Sequence, residues 1–436
     1  MKKFSAYLLL ILNFSAIIYI WLGHSNFLLF KAGWPGQLIA YGRLAGLLLE
    51  FFILLELLLI SRLTFIEQIF GHDRLNLLHR RVGYGLFSFL ILHPVLLVFG
   101  YSQVVGVNFV AQFFNFLNQW PEVFSAWLAL IIFITVITVS LPIIKKIINY
   151  ENWHLVHLLA YVAVALAFSH QLKSGDVSFG GALVYWLALN VLAVGGLLVY
   201  RWLKPIYLWW YHGFFVQKVV QENNEVVSVY LSGKNLDKFK FQAGQFANFI
   251  FLTKKLYSPH PFSFSQGFNG KNLRITVKIL GDFTKNVLQI PLGTKVIIDG
   301  PLGLFTVPAP SAKKFLFIAG GIGITPIRAL LESLTKTGAD SILFYGNRQL
   351  NTLVFKEELR QFKQKNYFII SHEQIAEGID CRRGFIDQEK IIKLAPDYLE
   401  REVYLCGPTP MMVVVVKILK KLGIAKTKIH WEKFGY

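Results

Sequence analysis

Four histidines lie inside two strongly apolar stretches of the sequence. His79 and His93 belong to LHRRVGYGLFSFLILHPVLL, and His157 and His170 belong to NWHLVHLLAYVAVALAFSHQ. An ionisable side chain inside a lipid-spanning helix is costly and rare, so it indicates a function. Imidazole is a common axial ligand of haem iron. One imidazole from each stretch can bind the same iron from opposite sides, and the two pairs together predict two stacked haems.

The spacing predicts which histidines share an iron. Read in the same direction, the two stretches place His79 and His157 at the inner level, and His93 and His170 at the outer level. Helical rise separates the levels by about 21 Å and about 20 Å. On a straight helix His93 is turned about 40° from His79, but His170 about 140° from His157, so the second stretch needs a local irregularity, a tilt or an approach from its flank. His154 is the alternative ligand, and interhelical hydrogen bonds are the alternative role for all four main histidines.

Composition divides the 436 residues into two halves. Residues 1–210 are dominated by Leu, Ile, Phe, Val and Trp, whereas residues 211–436 resemble an ordinary water-soluble protein. Apolar runs of about 20 residues match the thickness of a bilayer. The run after Met1 lacks a small-residue cleavage pattern, so we expect a retained helix and no secretory signal. The sequence predicts six spans, near 4–23, 38–60, 77–100, 123–144, 154–172 and 181–203.

Basic residues near the span ends predict the orientation. The side rich in lysine and arginine is cytoplasmic by the positive-inside rule, which places both termini in the cytoplasm of a bacterial-type plasma membrane. The net charge of +19 suits contact with anionic lipid and phosphorylated ligands. No nucleic-acid recognition motif is present, so no nucleic-acid partner is expected. The basic side carries Lys2, Lys3, Arg62, Arg74, Arg80, Arg81, Lys145, Lys146, Arg201 and Lys204, and the opposite side little beyond Lys31 and Lys173.

One arginine, Arg43, lies within the second predicted span at about the depth of His93. An unpaired arginine there is expensive, so a partner is expected. The propionates of an outer haem are one such partner. Glu50, seven residues later and on the same helix face, is the other, and both alternatives stay open.

The first part of the soluble half, residues 211–310, alternates short β-like runs with turns. The runs VVSVYL, FANFIF, LRITVKIL and KVIIDG predict a small antiparallel barrel. It contains HPFS at residues 260–263 and VKILGDFTKNV, in which Gly281 and Thr284 occupy a turn. A glycine and a hydroxyl at a turn can approach a pyrophosphate closely. Taken alone, Phe262 is more typical of a core residue than of a flavin platform.

The second part, residues 311–436, begins with KFLFIAGGIGITPIRALLESL. This pattern predicts a buried strand, a loop with Gly320, Gly321 and Gly323, and a helix that Thr325 caps and Pro326 opens. Such a turn presents backbone N–H groups and the helix dipole to phosphate, although any α/β turn has similar features.

Two later strands end in residues that suit a nucleotide. SILFYGNRQL ends beside Arg348, and VYLCGPTPMM ends at Cys406, Gly407 and Pro408. Open α/β sheets bind ligands at the carboxyl ends of their strands. Arg348 can meet a 2′-phosphate and so favour NADPH; the alternative is a solvated loop charge, with NADH as the donor. Cys381 and Cys406 do not suggest a disulfide framework.

In this order, HPFS, GDFT, GGIGITP, CGP and a near-terminal aromatic resemble the flavin and nicotinamide modules of the ferredoxin-reductase type. Together with the membrane histidines, the chain resembles the NADPH oxidase and ferric reductase superfamily, and is most similar to its compact prokaryotic NADPH oxidases. The resemblance implies an α-helical membrane bundle of six spans with two b-type haems over 1–210. It is fused to an antiparallel β-barrel FAD domain over 211–310 and an α/β nucleotide-binding domain over 311–436.

The resemblance also implies roles for individual residues. Phe262 lies against the flavin ring, Ser263 lies near its reactive nitrogen, and an aromatic near the C-terminus, here Phe434, stacks on it. Cys406 and Gly407 lie beside the nicotinamide. The residues expected to bind FAD or the nicotinamide dinucleotide are His260, Pro261, Phe262, Ser263, Lys278, Gly281, Thr284, Gly320, Gly321, Gly323, Thr325, Pro326, Arg348, Cys406, Gly407 and Pro408.

The expected function is an electron relay from cytosolic NADPH through FAD and two haems to an outer acceptor. Iron with two histidine ligands has no free position, so the acceptor takes its electron at the haem edge. Molecular oxygen giving superoxide is the leading acceptor, and Arg43 can stabilise that anion. The alternatives are ferric or cupric chelates and an exported partner protein. The outer loop from Tyr101 to Glu122 carries almost no charge and has no metal-collecting cluster, which favours oxygen.

Overall fold

The chain divides into two compact units, Met1–Trp202 and Leu203–Tyr436. The computed structural model describes residues 2–23, 26–173, 176–307, 313–335, 337–362, 364–374 and 380–432. The first unit is helical. The second combines two small antiparallel sheets with one parallel sheet flanked by helices.

Long apolar helices make up the first unit, and each of the six predicted spans overlaps one of them. Within the described residues, five helices are long and apolar enough to cross a membrane, or six if α3 and α4, which meet at 89°, form one broken span. This count rests on length and composition alone. The helices are α1 (Lys2–Gly23), α2 (Asn26–Lys31), α3 (Trp34–Ile60), α4 (Thr64–Phe70), α5 (His72–Val105), α6 (Phe109–Gln119), α7 (Pro121–Ser140), α8 (Pro142–Lys145), α9 (Tyr150–Lys173) and α10 (Gly180–Leu197).

Glycines allow α3 and α5 to pack very closely. A Cβ added at Gly42 would lie 2.9 Å from Leu97, and one at Gly46 would lie 2.6 Å from the His93 ring. On the facing helix, a Cβ at Gly100 would lie 2.7 Å from Ile39. Small residues bring helices together in lipid, where the hydrophobic effect does not drive helix association. The glycines therefore set the position of α5, and of its histidines, relative to α3.

Helices α7 and α9 form a second pair, joined by Ser125. Its hydroxyl lies 3.0 Å from the carbonyl of Leu166 and 3.1 Å from the hydroxyl of Ser169. Helix α9 is one α-helix from Tyr150 to Lys173. The local irregularity considered for this predicted span is therefore not found.

The second unit begins with α11 (Lys204–His212) and a small barrel. Its strands are β1 (Phe215–Asn223), β2 (Val226–Ser232), β3 (Phe246–Phe251), β4 (His260–Ser263), β5 (Leu273–Lys278) and β6 (Val296–Leu302), with α12 (Asp282–Val287) between β5 and β6. The sheets β1-β2-β5 and β4-β3-β6 are antiparallel, and bridges at Phe215–Lys295 and Phe264–Ile275 connect them. The four predicted β runs all form strands. Phe249, Phe251 and Phe264 are fully buried in the core between the sheets.

The remaining strands form one parallel sheet in the order β10-β9-β8-β7-β11-β12. Strand β7 is the central one, and its neighbours β8 and β11 are the other two strands predicted above. Parallel strands place their carboxyl ends at one edge, where ligands bind. The elements are β7 (Lys314–Gly320), α13 (Ile324–Thr335), β8 (Asp340–Asn347), α14 (Lys356–Gln361), β9 (Lys365–Ile370), β10 (Cys381–Arg383), α15 (Gln388–Leu394), β11 (Glu402–Cys406), α16 (Thr409–Lys421) and β12 (Ile429–Glu432).

An ionic cluster joins the barrel to the parallel sheet. Arg274 of β5 donates to Glu358 of α14 at 2.9 Å, and Arg328 of α13 donates to the same carboxylate at 2.7 Å. Arg328 also donates to the Ser265 carbonyl at 3.0 Å. Burial acts to raise the pKa of the Glu358 carboxyl, but the hydrogen bonds and charges of Arg274 and Arg328 outweigh it and hold that pKa below its usual value. The cluster is therefore strongest with Glu358 ionised.

We expect Glu358→Gln to lower the thermal midpoint of the second unit near neutral pH. The difference between the thermal midpoints of the variant and of wild type should become smaller as the pH falls. A carboxyl whose pKa is lower in the folded state stabilises the fold above its unfolded pKa, about 4.3, and loses that effect as pH falls through the folded pKa. Intrinsic fluorescence of the detergent-solubilised full chain during heating, from pH 7 to pH 3, measures this. Glu357→Gln is the control, because its side chain is 78% exposed. A difference that is constant across this range would contradict the prediction.

Candidate functional site

The structure brings the four main histidines together as two pairs. The ring centroids of His79 and His157 are 6.0 Å apart, and those of His93 and His170 are 6.3 Å apart. Metal–imidazole nitrogen bonds are about 2.0–2.1 Å long, so two rings on opposite sides of one metal have centroids roughly 6 Å apart. Both separations therefore fit a shared axial position. The ring of His154, the alternative ligand, lies beside Trp153.

The Nδ1 atoms of three of these histidines have partners that accept a proton. His93 Nδ1 lies 2.8 Å from the carbonyl oxygen of Gly42, and His79 Nδ1 contacts the carboxylate of Glu56. His157 Nδ1 lies 3.2 Å from the hydroxyl oxygen of Ser140, whose own proton is donated to the Val136 carbonyl. For a neutral ring, each of these partners favours the tautomer with the proton on Nδ1.

This tautomer leaves Nε2 with a free lone pair, which is the form that binds a metal. Ligating histidines usually donate their other N–H to a carbonyl, a carboxylate or a water, which fixes the ring. The interhelical hydrogen bonds considered as an alternative role do exist for His79 and His93, but they use Nδ1 and leave Nε2 available.

Sequence reasoning missed the residues that hold these rings. Gly42 and Gly46 repeat at the four-residue spacing of a close helix contact, which is a usable signal. Glu56 and Ser140 give no such signal, because their partners lie on other helices. In the part of the chain that the structure describes, no group of three or more His, Cys, Asp or Glu side chains is placed to hold a metal.

Arg43 has an acidic partner that was not predicted. Its guanidinium lies 3.3 Å from Asp176 and donates to the Tyr101 hydroxyl at 3.2 Å. The Asp176 side chain is 2% exposed and also accepts from Asn26 at 2.8 Å. The ion pair of Arg43 is thus with Asp176, where the sequence suggested Glu50 as one of two alternatives; the other alternative, a haem propionate, stays a prediction. Asp176 lies just after α9 and reaches Arg43 only through the tertiary fold.

The HPFS and GDFT motifs form one aromatic cluster in the barrel unit. His260 stacks on Phe283 with ring centroids 3.6 Å apart, and Phe262 lies 6.3 Å from the same ring. His260 and Pro261 are half-buried with Phe262, and Ser263 is buried at the end of β4. Phe283 was not among the predicted residues, although it lies within GDFT. A half-buried aromatic wall of this kind suits a flat ring system such as a flavin.

Gly281 and Thr284 shape the turn before α12. The Thr284 hydroxyl accepts the N–H of Leu280 at 2.8 Å and that of Gly281 at 2.9 Å. A Cβ at Gly281 would meet nothing within 4 Å, so the backbone there is open. Thr284 thus organises the loop, and Gly281 leaves room for a ligand to approach it.

The glycine loop after β7 packs against the turn after β11. A Cβ at Gly320 would collide with Met411, one at Gly323 with the Cys406 carbonyl, and one at Gly407 would lie 3.1 Å from Gly320. Gly321 has a φ of +52° and open space around it. Close packing therefore requires two of the loop glycines, and the third exposes backbone at the sheet edge.

The first turn of α13 differs slightly from the prediction. The helix begins at Ile324, so Thr325 and Pro326 both lie inside its first turn. The Thr325 hydroxyl donates to the Ile322 carbonyl at 3.0 Å. Thr325 stabilises the glycine loop from within the helix and is not its cap.

Cys406 is fully buried at the end of β11, and exposed Pro408 follows Gly407. Burial, and secondarily the charge of Glu432, raises the pKa of the Cys406 thiol well above its usual value, so the thiol is neutral at pH 7. Glu432 is paired in register with Cys406 and was missed by sequence reasoning. Phe434 lies outside the described residues.

Arg348 and Lys278 share one pocket. Lys278, at the end of β5, forms an ion pair with Glu225 at 3.0 Å. Arg348 is exposed just after β8. The pocket is lined by Glu225, Lys278, Asn347, Arg348, Gln349, Thr352 and His372. Two cations and a histidine in one pocket suit a phosphate group.

Three family models match this chain in the order that the sequence suggests. Residues 41–168 match the ferric reductase like transmembrane component, residues 211–305 match an FAD-binding domain, and residues 317–417 match an oxidoreductase NAD-binding domain. The chain has the NADPH oxidase and ferric reductase-like architecture. It is accordingly a transmembrane oxidoreductase with a helical ferric reductase-like domain followed by an FAD-binding domain and an NAD-binding domain.

Part of this ferric reductase-like chain is similar to several curated proteins. A glycine betaine monooxygenase reductase subunit of Chromohalobacter salexigens is 30% identical over 51% of this chain and 64% of its own length. A flavohemoprotein of Xylella fastidiosa is 24% identical over 67% of this chain and 78% of its own length. The chain thus spans less than two thirds of the glycine betaine monooxygenase reductase subunits that it matches.

Among solved structures, the ferredoxin reductase in carbazole 1,9a-dioxygenase matches with a TM-score of 0.46 and 23% identity. That match covers 51% of this chain and 68% of the other.

We expect Gly46→Ala to displace the His93 ring, because the new Cβ would lie 2.6 Å from it while Nδ1 is held by Gly42. Haem content per flavin, measured by pyridine haemochromogen absorbance after haem-replete expression, should fall by about half. Gly85→Ala is the matched control on α5, since its Cβ meets nothing within 4 Å. Equal haem contents in the two variants would contradict the expectation.

Proposed function

We propose that this oxidoreductase moves electrons from cytosolic NADPH to molecular oxygen on the outer face of the membrane, forming superoxide. The observation that carries the proposal is the pair of imidazole couples between α5 and α9, with Nδ1 fixed as the donor in three rings. An apolar helix pair with two such couples suits two bis-histidine haems. The names of the relatives, reductase subunits and flavohemoproteins, fit a flavin-dependent reductase half.

Each part of the chain has a separate task in this proposal. Residues 1–210 form six spans and hold the haems through His79, His93, His157 and His170, residues 211–310 hold FAD, and residues 311–436 hold NADPH. FAD supplies the conversion of a two-electron hydride into single electrons, and the haems supply one-electron carriers within the membrane. The lysines and arginines at the span ends support the orientation with both termini in the cytoplasm.

The reductase half provides a binding surface for each cofactor. The aromatic wall of His260, Phe262 and Phe283 packs against the flavin, and the open backbone at Gly281 meets its phosphates. Gly321 and the N-terminus of α13 meet the nicotinamide dinucleotide phosphates. Cys406, a neutral thiol at the sheet edge, packs beside the nicotinamide without adding charge. Phe434 covers the opposite flavin face in this proposal.

Oxygen as the acceptor fits the outer end of the helical unit. The segment from α6 to the start of α7 carries aromatic and amide side chains, including buried Gln112, and little charge. Arg43 is held by Asp176 and Tyr101, so its position is fixed. One NADPH is oxidised to NADP+ with release of one proton, and its two electrons reduce two oxygen molecules to two superoxide anions.

Cytochrome c reduction by the purified protein with FAD and NADPH tests the acceptor. We expect reduction that superoxide dismutase abolishes. Insensitivity to the dismutase would overturn superoxide formation. A ferric-chelate rate that persists without oxygen would instead support chelate reduction, and reduction only of a co-purifying exported protein would support electron delivery to that partner.

Substituting one outer ligand tests the haem assignment. We expect His93→Ala to lose about half of the haem while NADPH still bleaches the flavin absorbance at its usual rate, because the reductase half is unchanged. His154→Ala is the control and should keep all of the haem. Unchanged haem in His93→Ala, or equal losses in both variants, would refute the assignment.

Arg348→Ser should lower kcat/KM for NADPH about 10- to 100-fold, because a hydrogen bond to a charged group contributes roughly 1.5–3 kcal/mol. The value for NADH should change little, since NADH lacks the 2′-phosphate. Steady-state flavin reduction with both donors measures the ratio. Lys393→Ser, an exposed change outside the pocket, is the control. A parallel loss with both donors would contradict a role in phosphate recognition.

A further inference from the structure

We propose that Glu56 is a positioning residue that lowers the reduction potential of the inner haem. The inference rests on the proposed haem ligation by His79 and His93. It concerns the partner of one ligand ring, since the four proposed ligands are all imidazoles.

The two α5 ligands differ in what accepts the Nδ1 proton. At the inner level His79 Nδ1 contacts the carboxylate of Glu56 on α3. At the outer level His93 Nδ1 lies 2.8 Å from the neutral backbone carbonyl of Gly42 on the same helix. On the α9 side of the inner level, His157 donates to the neutral hydroxyl of Ser140. Glu56 is therefore the acidic member of these three acceptors.

Glu56 is also deeply enclosed. Glu56 is 7% exposed within an apolar helix, and its carboxylate contacts His79 and the backbone of Gly83. A charge in such surroundings is weakly screened, so its field at a neighbouring group is strong. A buried carboxylate at this place is expensive for the fold, which favours a role beyond helix packing.

The consequence for bound iron follows from ligand basicity. A carboxylate acceptor draws the Nδ1 proton towards itself and makes Nε2 a stronger electron donor, and this raises ligand basicity. A more electron-donating ligand and a nearby negative charge both stabilise the oxidised, more positive iron. Axial-ligand hydrogen bonding is one of the means by which a protein sets haem potential. An ionised Glu56 therefore lowers the potential of the inner haem.

The experiment compares haem potentials in single-haem proteins. His93→Ala retains only the inner haem, so Glu56→Gln is introduced into that background and its midpoint potential is measured by spectroelectrochemical titration. We expect an upward shift, because glutamine keeps the size of the side chain and removes its charge. Glu67→Gln is the matched control, since Glu67 is a buried acid near His72, a histidine outside the four ligands. It should leave the potential unchanged.

The remaining outcomes each decide the question. If His93→Ala and the wild type bind no haem, the proposed function fails before Glu56 is tested. If haem is bound with normal occupancy and Glu56→Gln leaves the potential unchanged, the inference on Glu56 fails alone. If Glu56→Gln prevents haem binding, Glu56→Asp replaces it: a potential above the parent, from the shorter and weaker contact, supports the role, and an unchanged one overturns it.

Discussion

The helical unit depends on how four imidazole rings are held in surroundings that do not favour polar groups. A buried ring with an unsatisfied N–H would cost roughly 1–3 kcal/mol. The fold meets this demand at three rings with a backbone carbonyl, a hydroxyl and a carboxylate from neighbouring helices. Each partner also favours one tautomer, so the contact that satisfies the N–H leaves the Nε2 lone pair that the proposed haem ligation requires.

The reductase unit solves a different problem, which is to bring backbone close to a ligand. The glycine loop after β7 and the turn after β11 touch so closely that side chains at Gly320 or Gly323 would collide with their neighbours. The loop is held from one side by the sheet and from the other by Thr325. The open backbone at Gly321 is therefore presented from a fixed base. A rigid base of this kind suits a site that must align two flat rings for hydride transfer.

Much of this arrangement could be predicted from sequence because the signals are local. Apolar runs gave the long helices, alternation gave the barrel strands, and glycine-rich strand ends gave the edge of the parallel sheet. The histidine pairs could be predicted because the rise per residue of a helix converts sequence separation into a distance along its axis. The roles of Glu56, Ser140 and Asp176 could not be predicted. They depend on which helices pack side by side, and such packing leaves no fixed spacing along the chain. The acidic partner of Arg43 was missed for the same reason, since Asp176 reaches it only through the tertiary fold. Thr325 was predicted as the helix cap, but α13 begins one residue before it, at Ile324.

Helix α3 carries the contacts for both levels of histidines on a single rod. Gly42 and Gly46 hold His93, and Glu56 contacts His79 about three to four helical turns further along. A translation or rotation of α3 therefore changes the contacts of His93 and those of His79 at the same time. Bilayer thickness acts on helix tilt. The lipid composition around the protein is thereby connected to the geometry of both imidazole couples, even though neither couple needs to touch a lipid.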